Sequence, residues 1–256
     1  MTDWPSFLCA MTLALIRVSG VFVFAPPFNS NAISIRTKAV FAGLIAWLIS
    51  PLVATLPGAH VALTLSAILG ELAVGLVYGL CLAMLNEMLL FAGQVLGMQF
   101  SFSLVNLMDP TSNQQTSLLG DFFQLMGTLV IFAAGLDRIL LASFIRSFHA
   151  VPLGGYALPP STALAIVHAV SGVFLAAIEL AAPVLSATML VEVSISLLGK
   201  ISPQLPVMNL SVPIKTLTGF GVLIGSLALW PHFIEGRFTS LLDMAERLVA
   251  APGHGG

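Results

Sequence analysis

Long apolar runs separated by short polar breaks make up most of this chain. Phe7 to Ala25 is the first run, interrupted by Arg17 and stopped by Pro26-Pro27. Asn29 to Lys38 follows as a polar connector with Arg36 and Lys38. Ala39 to Ile49 then reads as a second apolar helix that ends near Pro51 and the Pro57-Gly58 turn. Val61 to Phe100 is apolar for roughly 40 residues without a proline, where one membrane span needs only about 20. It is either two tightly joined helices or one helix longer than a bilayer is thick. Leu118 to Gly135 is helical again, with Ser117 as its N-cap and Asp121 near the positive end of the helix dipole. A short amphipathic piece carries Asp137, Arg138 and Arg146, and Val151 to Pro160 is a loop.

Thr162 to Leu198 is a second overlong run, in which Pro183 is expected to kink or split the helix. Lys200 to Pro206 reads as a tight turn, and Ser211 to Lys215 leads into a last apolar helix, Ile214 to Ile234. Beyond Glu235, Phe238, Leu241, Leu242, Ala245, Leu248 and Val249 recur at helical spacing, opposite Asp243, Glu246 and Arg247. That pattern predicts an amphipathic helix lying on an interface or a partner. Pro252 to Gly256 is expected to be disordered.

The longest polar break is Gly97 to Gly120. It contains Ser101, Ser103, Asn106, Asp109, Ser112, Asn113, Gln114 and Gln115 and neither Lys nor Arg. Asp109-Pro110 supplies a type I turn, since Asp suits its first position and Pro its second. The break is an uncharged-to-acidic loop set within a membrane-type protein.

Composition narrows the class. Of 256 residues, 58% are hydrophobic and 8% are charged, and the mean hydropathy is +1.03. A soluble domain carries about 25% charged residues, so this surface needs lipid or protein around it. The formal net charge of -2 gives no argument for nucleic acid. Cys9 and Cys81 lie in separate apolar runs and read as small buried hydrophobes. Asp3 in place of a basic leader, and Arg17 within the first run, argue against a cleaved signal peptide. Basic residues are too few to fix the orientation by loop charge.

The residues offer no catalytic grouping, no phosphate loop, no metal spacing among the five histidines, and no requirement for a cofactor. Polar residues within the runs carry what chemistry there is: Arg17, Glu71, Glu87, Gln94, Gln99, Glu179 and Glu192. Arg17 is expected to pair with a carboxylate in a helix interface or to line a pathway. Glu87 and Gln94 are seven apart and share a helix face. Intramembrane carboxylates either hydrogen-bond between helices or relay cations, and the second option keeps a secondary transporter open. Gly75/Gly79, Gly93/Gly97 and Gly221/Gly225 are spaced for close approach of helix backbones.

Gly93-Gln94-Val95-Leu96-Gly97-Met98-Gln99, followed by Asp109-Pro110, resembles the FliR family of flagellar and type III secretion export-gate proteins. So do Ser143 to Gly154, Ser202-Pro203-Gln204-Leu205-Pro206-Val207 and Val212-Pro213-Ile214-Lys215, with Arg17, Pro26 and Lys38 fitting the N-terminal pattern. The likeness runs from about Leu15 to about Leu248. Ala181-Ala182-Pro183 through Lys200, with Pro213-Ile214-Lys215 through Trp230-Pro231, further resembles the small companion FliQ, which leaves the N-terminal part similar to FliP.

The resemblance implies an all-α subunit of a conical helical assembly, built with FliP-like and FliQ-like gate subunits. FlhB-like and FlhA-like export proteins are its further partners, and unfolded flagellar proteins pass through its pore. It implies a FliP-like part over 1–155 that includes a plug loop at 101–117, a FliQ-like hairpin over 156–234, and a tail over 235–256. The implied plug residues are Phe100, Phe102, Asn106, Met108, Asp109, Pro110, Asn113, Gln114 and Gln115. The implied hairpin turn uses Lys200, Pro203, Gln204, Pro213 and Lys215. The implied location is the inner membrane, at the flagellar basal body. Leu136-Asp137-Arg138 departs from a Gly-His pair found in many flagellar relatives, so the paralogous subunit of virulence-type injectisomes stays open beside the flagellar reading.

Overall fold

The computed structural model describes residues 4–24, 34–60, 62–100, 118–156, 161–202, 204 and 207–250. Among the described residues every regular element is a helix, so the protein is all-α. In order these are α1 (Trp4–Phe24), α2 (Ile35–Val53), α3 (Leu65–Gln99), α4 (Leu118–Ala133), α5 (Leu136–Ala150), α6 (Ser161–Ile201) and α7 (Val207–Ser226). A 3-10 turn, Leu227–Leu229, then leads into α8 (Trp230–Ala250). Among the described residues, five spans are long and apolar enough to cross a membrane, or six if the broken pair α4 and α5 counts as one. The loop residues 101–117, Ser117 among them, and the end beyond Ala250 lie outside the described residues.

The first long run is one helix: α3 continues for 35 residues without a break. The second is also one helix, and here the structure corrects the sequence. Pro183 does not split α6, which runs unbroken for 41 residues. Its ring stands on the exposed side, while Ala176, Ala177, Leu180, Ala181 and Val184 are buried on either side of it. Burial of that face outweighs the lost backbone hydrogen bond, as tertiary packing commonly outweighs local propensity.

Two other boundaries move. The connector expected up to Lys38 is already helical from Ile35, because the Ser34 hydroxyl caps α2 by accepting from the Thr37 N–H at 3.2 Å. The same helix passes through Pro51, which leaves the Trp47 carbonyl without its usual donor. The Ser50 hydroxyl donates to that carbonyl at 3.0 Å and satisfies it. The last apolar helix starts at Val207 instead of Ile214, with Pro213 inside it. It stops at Ser226, so the expected segment to Ile234 is divided by the 3-10 turn and its end belongs to α8.

The chain forms two compact units. One contains residues 1–85, 135–170 and 237–256; the other contains 86–134 and 171–236. In the first, α1 packs against α2, and the small residues Ala42, Ala46 and Ser50 of α2 are buried. α1 also meets α3 at glycine. A Cβ added to Gly20 would sit 3.0 Å from Gly75 Cα, and one on Gly75 would collide with the Arg17 carbonyl. In the second unit Gly93 of α3 faces Gly120 of α4, where an added Cβ would come 2.5 Å from Gly120 Cα. Gly75, Gly79 and Gly93 thus stand at helix crossings, and Gly221 and Gly225 have open space around them.

Candidate functional site

The first unit holds a buried polar cluster. Arg17 of α1 and Glu71 of α3 are both fully buried. The guanidinium grips the carboxylate as a fork: Nε donates to Oε2 at 2.5 Å, and one terminal nitrogen donates to Oε1 at 3.1 Å. That same nitrogen donates to the Val151 carbonyl at 3.0 Å, and the other reaches the Ser147 hydroxyl at 3.3 Å. The Phe148 ring lies 4.2 Å from the guanidinium carbon. Glu71 Oε1 also accepts from the Gly154 backbone N–H at 2.9 Å. Charge, hydrogen bonds and a π face together offset the desolvation that an isolated buried ion would suffer.

This pair orders the loop after α5. Gly154 adopts φ 75°, the left-handed region, and a Cβ there would meet the His60 carbonyl at 2.6 Å. Only glycine suits both the angle and the space. His60 N–H donates to the Leu153 carbonyl at 2.9 Å, which ties the segment after α2 to the same loop. Burial raises the Tyr156 hydroxyl above its ordinary range.

A second chain of contacts leads toward the surface. Tyr78 packs edge-on against Phe144 at 5.9 Å, and the Ser143 hydroxyl donates to Glu246 of α8 at 2.6 Å. Arg146 approaches Glu246 at 3.5 Å with much of its side chain exposed. Ser143, Ser147, Phe148 and Glu246 are not evident from the sequence as partners of this group. A signal was present in the serine and phenylalanine pairs at i, i+4 in α5, which put two hydroxyls and two rings on one side of the helix.

The second unit holds the ends of the polar loop. Phe100, next to the last residue of α3, is buried and stacks on Phe220 of α7 with ring centroids 4.8 Å apart. Gly219 leaves room for that ring, since a Cβ there would strike it. On the other side of the loop, α4 begins at Leu118. Its Phe123 packs edge-on to Trp230 at 4.4 Å, and Gly127 lies against Leu89. An apolar cavity of about 660 Å3 lies between α4 and α7, lined by Leu119, Phe122, Leu125, Leu223 and others, with Asp121 beside them. Phe102, Asn106, Met108, Asp109, Pro110, Asn113, Gln114 and Gln115 lie outside the described residues, and so does Pro203.

α6 and α7 are joined by an ion pair between Glu192 and Lys215, in which the lysine is largely buried and the glutamate about half exposed. Lys200 lies in the last turn of α6, Gln204 is exposed between the helices, and Pro213 sits within α7. Within the single chain Glu87, Gln94 and Glu179 stand exposed and Gln99 is half-buried. Of the four glutamates in the long runs, Glu71 alone is buried in the chain.

The outer faces of these helices are apolar. Leu175, Met189, Leu190, Val193, Leu197 and Leu217 are each more than half exposed on α6 and α7. Only 22% of the apolar window of α6 is buried, which an aqueous surface could not tolerate over such a length.

The sequence matches the family model described as bacterial export proteins, family 1, over residues 8–241. It is 26% identical over 232 residues to the flagellar biosynthetic protein FliR of Buchnera aphidicola from Acyrthosiphon pisum, covering 89% of each chain. It is 23% identical to FliR of Escherichia coli K12, covering 97% of this chain and 95% of that one. With FliR of Bacillus subtilis 168 it shares 25% identity, covering 98% of this chain and 96% of the relative. An all-helical chain with lipid-like outer faces, matched almost end to end, belongs to the FliR family of bacterial export proteins.

Proposed function

We propose that this chain is an export-gate subunit of the flagellar type III protein export apparatus. It helps form, and helps plug, the channel through which unfolded flagellar proteins cross the bacterial inner membrane at the basal body. The observation that carries this reading is the family match over residues 8–241, together with relatives named as flagellar biosynthetic proteins. Its partners in this reading are FliP-like and FliQ-like gate subunits and FlhB-like and FlhA-like export proteins. The exposed apolar faces of α6 and α7 support it, because α6 is longer than a bilayer is thick and most of its apolar window is left uncovered by the described residues, which suits a helical assembly.

On this reading 1–155 is the FliP-like part, 156–234 the FliQ-like hairpin and 235–256 the tail. The hairpin is clamped by Glu192 and Lys215. Residues 101–117 form the plug. Their polar, uncharged side chains can hydrogen-bond across a closed pore without holding a passing chain by charge. Phe100 on Phe220 and Leu118 at the start of α4 give the loop two fixed ends. Glu87, Gln94, Gln99, Glu179 and Glu192 then contribute hydrogen bonds to neighbouring subunits. The transporter reading is the weaker one, since the carboxylate buried in the chain is already neutralised by Arg17.

Deleting the gene in its own organism tests the assignment. Flagellar subunits should disappear from the culture medium and reappear on complementation. Undiminished flagellar secretion, or loss confined to virulence effectors, overturns the flagellar reading.

A further inference from the structure

Four glutamates lie within the long apolar runs. Glu71 is paired with Arg17 and Glu192 with Lys215, and Glu179 also interacts within the chain. Glu87 of α3 is the exception: it forms no hydrogen bond and no ion pair among the described residues. It stands exposed on the surface of the second unit. Gln99, the nearer end of α3, is 12 residues away, about 18 Å at the helical rise. That distance is beyond the reach of a glutamate side chain, so the carboxylate cannot escape to an end of the helix.

The surface around it is apolar. Leu90 and Phe91, one turn further on, are half-buried, and Phe91 packs edge-on against Phe174 of α6 at 5.1 Å. Phe174 is itself half exposed, as is Ile178 one turn beyond it. A lone carboxylate in such a face loses its hydration once lipid or protein covers it. Only a cation or hydrogen-bond donors beside it recover that loss.

The chain has no cation to spare for this place. From Ala39 to Asp137 it contains neither Lys nor Arg, and the second unit contains only Lys200 and Lys215. Lys215 is engaged by Glu192. Lys200 lies 26 residues beyond Phe174 on the unbroken α6, about 39 Å along its axis. The charge that matches Glu87 therefore has to come from another chain. Gln94, two turns on along the same face and also exposed without a bond, adds a donor and an acceptor.

We propose that Glu87 is the docking point for a Lys or Arg side chain of a neighbouring gate subunit, with Gln94 hydrogen-bonding the same partner helix. This rests on the export-gate reading. The carboxylates of Glu71 and Glu192 are matched inside the chain, and that of Glu87 is matched on assembly. Such a group selects its neighbour: it attracts a basic helix and penalises an acidic or wholly apolar one.

The test uses the tagged full-length chain purified from its own membranes. Wild type should recover FliP-like and FliQ-like chains. Glu87→Lys sets like charges against each other and should cut that recovery by about tenfold or more, and Glu87→Gln should cut it less. A photoactivatable residue at Leu90 captures the neighbour in otherwise wild-type cells. The adduct should be a gate-subunit peptide with a Lys or Arg within about one helical turn of the linked position. Replacing that basic residue by Glu should restore recovery of the Glu87→Lys chain. Undiminished recovery with Glu87→Lys, or an adduct with lipid, a second copy of this chain or a peptide without a basic residue, overturns the pairing and leaves the gate reading standing. If wild type recovers no gate chain at all, the gate reading falls and the pairing falls with it.

Discussion

Arg17 on α1 and Glu71 on α3 meet across 54 positions of sequence in a two-bond fork, at 2.5 and 3.1 Å, with both side chains fully buried. The same fork holds the Val151 carbonyl and the Gly154 N–H. A single pair therefore fixes two helices and the loop that follows α5.

Breaking one side of this pair should be worse than removing both. Glu71→Leu or Arg17→Met alone leaves an uncompensated buried charge and should cost about 3–5 kcal/mol. The double substitution should recover a large part of that loss. Thermal unfolding in detergent checks it, and a double variant as unstable as the sum of the singles would contradict the coupling.

Glycine at the crossing of α1 and α3 should tolerate no side chain. Gly75→Ala puts a methyl into the Arg17 carbonyl and should lower the melting temperature clearly. Gly221→Ala faces open space and should leave it unchanged. If the second substitution nevertheless weakens association with other gate subunits, Gly221 is a contact between chains. Equal melting of the two variants would remove the crossing argument.

Phe100 should matter to both stability and closure. Truncating a buried phenyl to alanine costs about 3–5 kcal/mol, and the loss of the Phe220 stack frees one end of the loop. Phe100→Ala should make cells leak ions, as should deletion of Pro110 to Gln115. Wild-type tightness in the deletion would count against a plug role for 101–117.

Lys215 and Glu192 make the opposite forecast. The lysine is largely buried and the glutamate about half exposed, so removing the lysine leaves a carboxylate that water can reach and no buried charge unpaired. Lys215→Gln should leave the fold of α6 and α7 intact by circular dichroism. Marked unfolding would show that the hairpin depends on this pair.

Much of this architecture is readable from the residues. The apolar runs that became α3 and α6 are plain in the sequence because burial in lipid or protein needs only composition and length. The boundaries of α2, α6 and α7 are less legible. Each contains a proline, and whether a helix survives it depends on contacts such as the Ser50 hydroxyl on the Trp47 carbonyl. Arg17 is a conspicuous residue, yet nothing local selects Glu71 over Glu87, Glu179 or Glu192 as its partner. That choice is made by the Gly20 and Gly75 crossing, which brings the two helices close enough. The Ser147, Val151 and Gly154 contacts are tertiary in the same sense.

The proposed role makes this chain one subunit of an export gate. Affinity purification of the full-length protein from its own membranes tests it most directly. FliP-like and FliQ-like chains should co-purify in a stable detergent complex, and the chain expressed alone should misassemble. A monodisperse protein that moves a small solute across liposomes by itself would contradict it.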